Sequence, residues 1–92
     1  MLFPILAAIA AASAAAPHYL AEPERAPVQA RLVARDQLWS CGGGACSSAK
    51  GNSRPAIACS VLVKEVGRLR SFAVAGQPID AAALEKCNAR AR

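Results

Sequence analysis

The sequence predicts a small α+β domain, a short antiparallel sheet with two helices held by disulfides. Three observations predict it: four cysteines in a 92-residue chain with an export-type opening, alternating apolar residues on either side of Cys41, and two capped helical segments carrying Cys59 and Cys87.

The opening, MLFPILAAIAAASAAAPHYLAEPE, has no acidic or basic side chain before Glu22. An apolar, alanine-rich run that ends in small residues is the layout of a secretory signal peptide, although here only the amino terminus supplies the positive charge and Pro4 interrupts the first turn. Small-x-small triplets at Ala12-Ser13-Ala14 and Ser13-Ala14-Ala15 put the cut after Ala14 or Ala15, so residues 1–15 are read as signal peptide. The run is shorter than the roughly 18 to 20 residues that span a bilayer, so no transmembrane anchor is expected after cleavage. No cysteine lies near the cut and no arginine pair precedes the run. The expected location is periplasmic or secreted.

Cleavage leaves about 77 residues. A chain of that size buries only about 60% of its unfolded surface, which makes a core of its own marginal. Disulfides commonly supply the difference, and an even cysteine count in an exported chain fits that need. The formal net charge is +5, with every charged side chain beyond residue 21. Such a balance favours anionic partners such as lipid head groups, envelope polysaccharide or nucleic acid. The cationic residues are scattered and never form a run, so a solvated, solubilising surface is the better explanation and nothing singles out nucleic acid.

Along the chain, residues 16–27 carry Pro17, Pro23 and Pro27 with no apolar period and read as a flexible linker, so the folded domain is expected to span residues 28–92. Leu32 and Ala34 alternate with Arg31, Val33 and Arg35, which gives one or two short strands ending at Cys41. Three glycines turn the chain, and residues 45–48 can return as a strand. Ser53 is a candidate helix cap with Pro55 in the first turn. Cys59, Leu62, Val63 and Val66 then share one helical face, and Gly67 ends the helix in the left-handed conformation. A strand through Ile57, Cys59, Val61 and Val63 is the rival reading, because those residues also alternate. Residues 69–74 read as a strand with Phe72 and Val74 inward, followed by a turn at Gly76-Gln77-Pro78. Asp80 caps a second helix, with Ile79 and Leu84 spaced as a hydrophobic staple and Cys87 on the face of Leu84.

Four chemistries compete for the cysteines. Thioredoxin-like redox sites want Cys-x-x-Cys at a helix start, whereas Cys41 and Cys46 have four residues between them, three of them glycines. A structural zinc site wants two close pairs, and only one is present. The stretch Gly44 to Gly51 resembles a phosphate-binding loop superficially, yet Ala49 stands where the second glycine belongs and Gly51 where the magnesium-binding hydroxyl belongs. Two structural disulfides fit best. Loop-closure entropy does not choose among the pairings: Cys41 with Cys46 plus Cys59 with Cys87 is worth roughly 2 and 3.5 kcal/mol, and Cys41 with Cys59 plus Cys46 with Cys87 about 3 and 4. The first is favoured because Cys59 and Cys87 lie on the core faces of two helices, while three glycines let the Cys41 to Cys46 loop fold back on itself.

Catalytic groups are sparse, so no enzyme activity and no cofactor or metal are expected. His18 falls in the expected linker, and Asp36 and Glu65 are isolated carboxylates. Trp39 is either core filler or an aromatic platform beside the glycine loop. Arg54, before Pro55, either belongs to plain capping geometry or binds an anion at the helix start. Trp39, Gly42, Gly43, Gly44 and Arg54 together make a candidate binding loop.

The run LWSCGGGACSS, then NSRPAIACSVLVKEVGRLRSFAVAG, then LEKCNARA resembles a family of small, exported, four-cysteine proteins of alphaproteobacteria, over about residues 30–91. The resemblance implies export and a shared fold and carries no activity. Two functions follow as expectations: a non-enzymatic, envelope-associated binding or structural module with an anionic or protein partner, or a small secreted inhibitor or effector that docks an enzyme through the Cys41–Cys46 loop. A redox protein would require Cys41 and Cys46 to cycle.

Overall fold

The computed structural model describes residues 17–92, and the expected signal peptide and its cleavage site lie outside them. Six strands and two helices follow in the order β1 (Tyr19–Pro23), β2 (Arg31–Ala34), β3 (Gln37–Gly42), β4 (Ala45–Ser48), α1 (Pro55–Val66), β5 (Leu69–Val74), β6 (Gln77–Pro78) and α2 (Ala81–Asn88). The strands form one antiparallel sheet in the order β2-β3-β4-β1-β5-β6. The α+β fold class read from the sequence is the one observed.

The largest departure is β1. The linker expected over residues 16–27 is interrupted, because residues 19–23 form an inner strand paired with β4 on one side and β5 on the other. Tyr19, Ala21 and Pro23 point inward and are buried, while Leu20 and Glu22 point out. The prolines do not prevent this. Pro17 precedes the strand, Pro27 follows it, and Pro23 occupies its last position, where a missing N–H costs the ladder least. The folded domain therefore begins before residue 28.

Two hairpins build the other half of the sheet. β2 and β3 pair from Arg31↔Ser40 to Ala34↔Gln37 around Arg35-Asp36, with Arg35 at φ 65°. β3 and β4 close around Gly43 (φ 62°) and Gly44 (φ 86°), the consecutive positive values that a two-residue primed turn demands. Behind this hairpin, Gln37 Nε2 donates to Ser48 Oγ at 2.8 Å and to the Ala49 carbonyl at 2.7 Å, and Ser48 Oγ donates to the Leu38 carbonyl at 2.7 Å. A Cβ on Gly51 would fall 2.7 Å from Gln37 Oε1, so a glycine there leaves room for the amide.

Residues 55–66 are helical, and the strand alternative fails because Ala58, Cys59, Leu62 and Val63 bury a single helical face. The cap is Arg54 rather than Ser53. A residue before proline is pushed out of the helical region, and Arg54 is extended at φ −66° and ψ 155°. Its carbonyl accepts from Ile57 and Ala58 N–H at 3.0 and 2.9 Å. The Ser53 carbonyl instead accepts from the Tyr19 hydroxyl at 3.4 Å. Gly67 ends the helix at positive φ, 87°, but its ψ of −168° is extended rather than left-handed helical.

In β5 both Leu69 and Phe72 are buried, which strict alternation forbids. The pairing explains it: Pro23 faces Leu69 while Glu22 faces Ser71, so Arg70 is an extra residue that resets the parity, as a bulge does. Val74 is partly buried against the core. The next turn uses Ala75 (φ 51°) and Gly76 (φ 83°), one residue earlier than expected, because Gln77 and Pro78 pair back onto Val74 and Ala73. In α2, Asp80 Oδ1 accepts from Ala83 N–H at 2.8 Å, and Ile79 and Leu84 pack on the core as expected.

Both helices cover the same sheet face, α1 over β2 and β5 and α2 against α1 and β5. Between the layers, Tyr19 lies 5.9 Å from Trp39 and 5.5 Å from Phe72, ring centre to ring centre. Aromatic pairs at such distances add about 0.5–1.5 kcal/mol beyond the area they bury. The opposite sheet face carries the exposed side chains of Leu20, Val33 and Leu38.

Candidate functional site

All four cysteines are consumed in disulfides, Cys41 with Cys46 and Cys59 with Cys87. This is the favoured pairing, and each bond has a local cause. Cys41 and Cys46 are directly opposite across β3 and β4, with Cα atoms 4.0 Å apart, because the Gly43-Gly44 turn sets that register. Cys59 and Cys87 sit on the facing sides of α1 and α2 with Cα atoms 5.9 Å apart. No thiolate remains to bind zinc or act as a nucleophile, and residues 44–51 lie on β4 and the loop after it rather than on a strand-to-helix phosphate cradle. Two closed disulfides point to an oxidising compartment. No described helix is long and apolar enough to cross a membrane.

The candidate loop of Trp39, Gly42, Gly43, Gly44 and Arg54 does not assemble. Trp39 is 1% exposed and points toward the helices as part of the core, so it is no platform. Its position in β3 has the parity of Leu32 in the facing strand, both inward. The three glycines lie past the disulfide at the hairpin tip, exposed, and a Cβ on any of them would meet nothing within 4 Å. Arg54 is exposed at the start of α1, and its side chain makes no capping bond.

What the fold brings together is a set of cations the sequence reading did not group. Arg35 from the β2–β3 turn, Lys64 from α1 and Arg90 from just beyond α2 line one cavity of about 410 Å³, with Ile57, Ser60 and Val61. A second groove of about 590 Å³ runs between the helices and adds Lys86. Neither lining contains an acidic residue. Among the described residues the ion pair formed is Arg68 with Glu24 at 3.7 Å, elsewhere and half exposed. The helical spacing from Ser60 to Lys64 and from Lys86 to Arg90 was a readable signal for this stripe. Arg35 was not, because its place depends on how a hairpin docks over α1.

A larger cavity of about 760 Å³ lies on the other side of Arg35, between the Arg35-Asp36 turn and residues 49–53, and takes in the edge of Trp39. Near it, burial pushes the Tyr19 phenol above its ordinary pKa. Among the described residues no three His, Cys, Asp or Glu side chains converge as a metal site would require.

No curated protein and no solved structure matches the chain. One family model does, over residues 3–89, and on that match the chain belongs to DUF8200, a family of unknown function.

Proposed function

We propose that this chain is a small non-enzymatic binding module of the periplasm or the secreted fraction, engaging an anionic component of the envelope. The carrying observation is the convergence of Arg35, Lys64, Lys86 and Arg90 on one side of the helical layer with no carboxylate among them. Like charges gathered this way repel one another, and a bound anion relieves that repulsion. The signal-type opening and the closed disulfides support export, as does the resemblance to exported proteins of alphaproteobacteria.

Co-sedimentation with phosphatidylglycerol vesicles tests this reading. Retention that falls steeply between low and high salt is expected, since exposed charges are screened within about 10 Å at 0.1 M. Equal retention on phosphatidylcholine vesicles, or none on either, would rule it out.

A second reading rests on the hairpin tip, where Gly42, Gly43 and Gly44 offer a bare backbone edge fixed by Cys41–Cys46. Under it the protein is a small secreted inhibitor or effector that inserts this tip into an enzyme. Inhibition of a purified envelope enzyme that is lost on Gly42→Arg and insensitive to salt would favour this reading over the first.

A further inference from the structure

The two basic cavities adjoin: Ile57, Ser60 and Arg90 line both. Their characters differ. The smaller presents Arg35, Lys64 and Arg90 around the Ser60 hydroxyl. The larger is walled by Ile57, Ile79, Ala82 and Ala83 over the Cys59–Cys87 disulfide, with Lys86 and Arg90 as its charged members. Its volume of about 590 Å³ lies inside the range of about 300–1,000 Å³ typical of small-molecule sites. We infer that this pair of cavities binds a single-chain amphiphile with a phosphate head, the head held by Arg35, Lys64 and Arg90 and the chain laid between α1 and α2.

Three observations support that occupant. First, two guanidinium groups and an ammonium from separate elements suit the oxygens of a phosphate, which arginine can grip through two parallel N–H bonds. Second, the turn bearing Arg35 needs a positive φ, which glycine or asparagine supplies with less strain. An arginine there accepts that strain and lines the smaller cavity together with Ser60, Val61 and Lys64 of α1, and such conformations concentrate at functional sites. Third, the apolar walls begin where the cations end, so one molecule with a charged end and an apolar end satisfies both. A bare anion would leave the helix–helix groove unused, and a neutral lipid would leave the cations uncompensated.

The inference rests on the anionic-partner reading and is tested separately from it. Calorimetric titration would use dodecyl phosphate, butyl phosphate, inorganic phosphate and dodecyl maltoside, each below its micelle concentration. Dodecyl phosphate is expected to bind at least about tenfold more tightly than any of the other three, a difference of about 1.4 kcal/mol. Both Ala83→Phe, which fills the groove from an exposed helix position, and Lys64→Glu with Arg90→Glu, which reverses the head site, should weaken it by a similar factor with circular dichroism unchanged. Equal affinity for inorganic phosphate would reduce the site to a simple anion patch and overturn the proposal, as would equal affinity for dodecyl maltoside. Retention on phosphatidylglycerol vesicles without dodecyl phosphate binding overturns the groove and leaves the anionic-partner reading standing; loss of both overturns both.

Discussion

The side-chain amide of Asn88 clasps the backbone of Leu69: Oδ1 accepts from the Leu69 N–H at 2.8 Å and Nδ2 donates to the Leu69 carbonyl at 3.0 Å. The clasp ties the end of α2 to the first residue of β5. Its necessity follows from the sheet pairing: Glu24 N–H donates to the Arg68 carbonyl at 2.9 Å, so Leu69 and Pro23 are a non-hydrogen-bonded pair and both backbone groups of Leu69 face away from β1, on the side where β6 reaches only Ala73 and Val74. Both residues are buried, so no water replaces the amide. Asn88→Ala should destabilise the fold by about 2–4 kcal/mol, because a buried donor and a buried acceptor each lose a partner at about 1–3 kcal/mol. Asn88→Asp should also destabilise, since its carboxylate oxygen would face the Leu69 carbonyl. Urea unfolding of both variants checks this, and a change under about 0.5 kcal/mol, the usual scale of surface substitutions, would show that the clasp is incidental.

A chain that starts at Val28 should fail to fold, whereas one that starts at Pro17 should fold. The difference is β1, which contributes Tyr19 to the aromatic cluster and joins β4 to β5. Without it the sheet separates into the β2-β3-β4 hairpins and a β5-β6 pair with nothing between them. Near-ultraviolet circular dichroism of the two chains decides the point, and a native-like spectrum for residues 28–92 would contradict the assignment of β1.

Stability should decline in alkali by a route that runs through Tyr19. Burial holds its phenol protonated to a higher pH than in the unfolded chain, where the ordinary value is near 10. Above that value the unfolded chain loses the proton first and is favoured, so stability falls as pH rises, and below it this residue adds no slope. Tyr19→Phe keeps the ring packing and should flatten the part of the alkaline decline that Tyr19 causes. Thermal melts of both proteins from pH 8 to 11 test this, with parallel curves as the contrary result.

The three glycines of the tip are not equivalent. Gly43 and Gly44 need positive φ, and Gly42 does not. Gly44→Ala should therefore cost about 1–2 kcal/mol, while Gly42→Ala should be neutral or stabilise by about 0.4–1 kcal/mol. Chemical denaturation of the two variants separates them, and equal costs would mean that the turn differs from the one described.

What could be read from the chain divides along physical lines. The disulfide pairing was legible because helical spacing put Cys59 and Cys87 on core faces and glycines let Cys41 meet Cys46. The Asp80 cap was legible because its partner lies within one turn. β1 was not, since its inward residues other than Tyr19 are a small alanine and a proline, which give no apolar alternation to read. Neither was the Arg70 bulge, which depends on the neighbouring strand. Asn88 stood in view within Lys-Cys-Asn, yet its task depends on Leu69, at the end of β5 that β6 does not reach. The candidate loop failed for a similar reason: Trp39 and the glycines are neighbours in sequence, but strand parity sends the tryptophan into the core and the turn carries the glycines away from it. The basic groove needs three distant elements to meet and could not be assembled from spacing alone.

The most direct measurement is a nitrogen-edited amide map of the folded protein titrated with dodecyl phosphate. An anionic-ligand module with its site between α1, α2 and the β2–β3 turn predicts shifts at Arg35, Ser60, Lys64, Ala83 and Arg90 that saturate together, with Gly42, Gly43 and Gly44 unmoved. Shifts confined to the three glycines, or none at all, would contradict it.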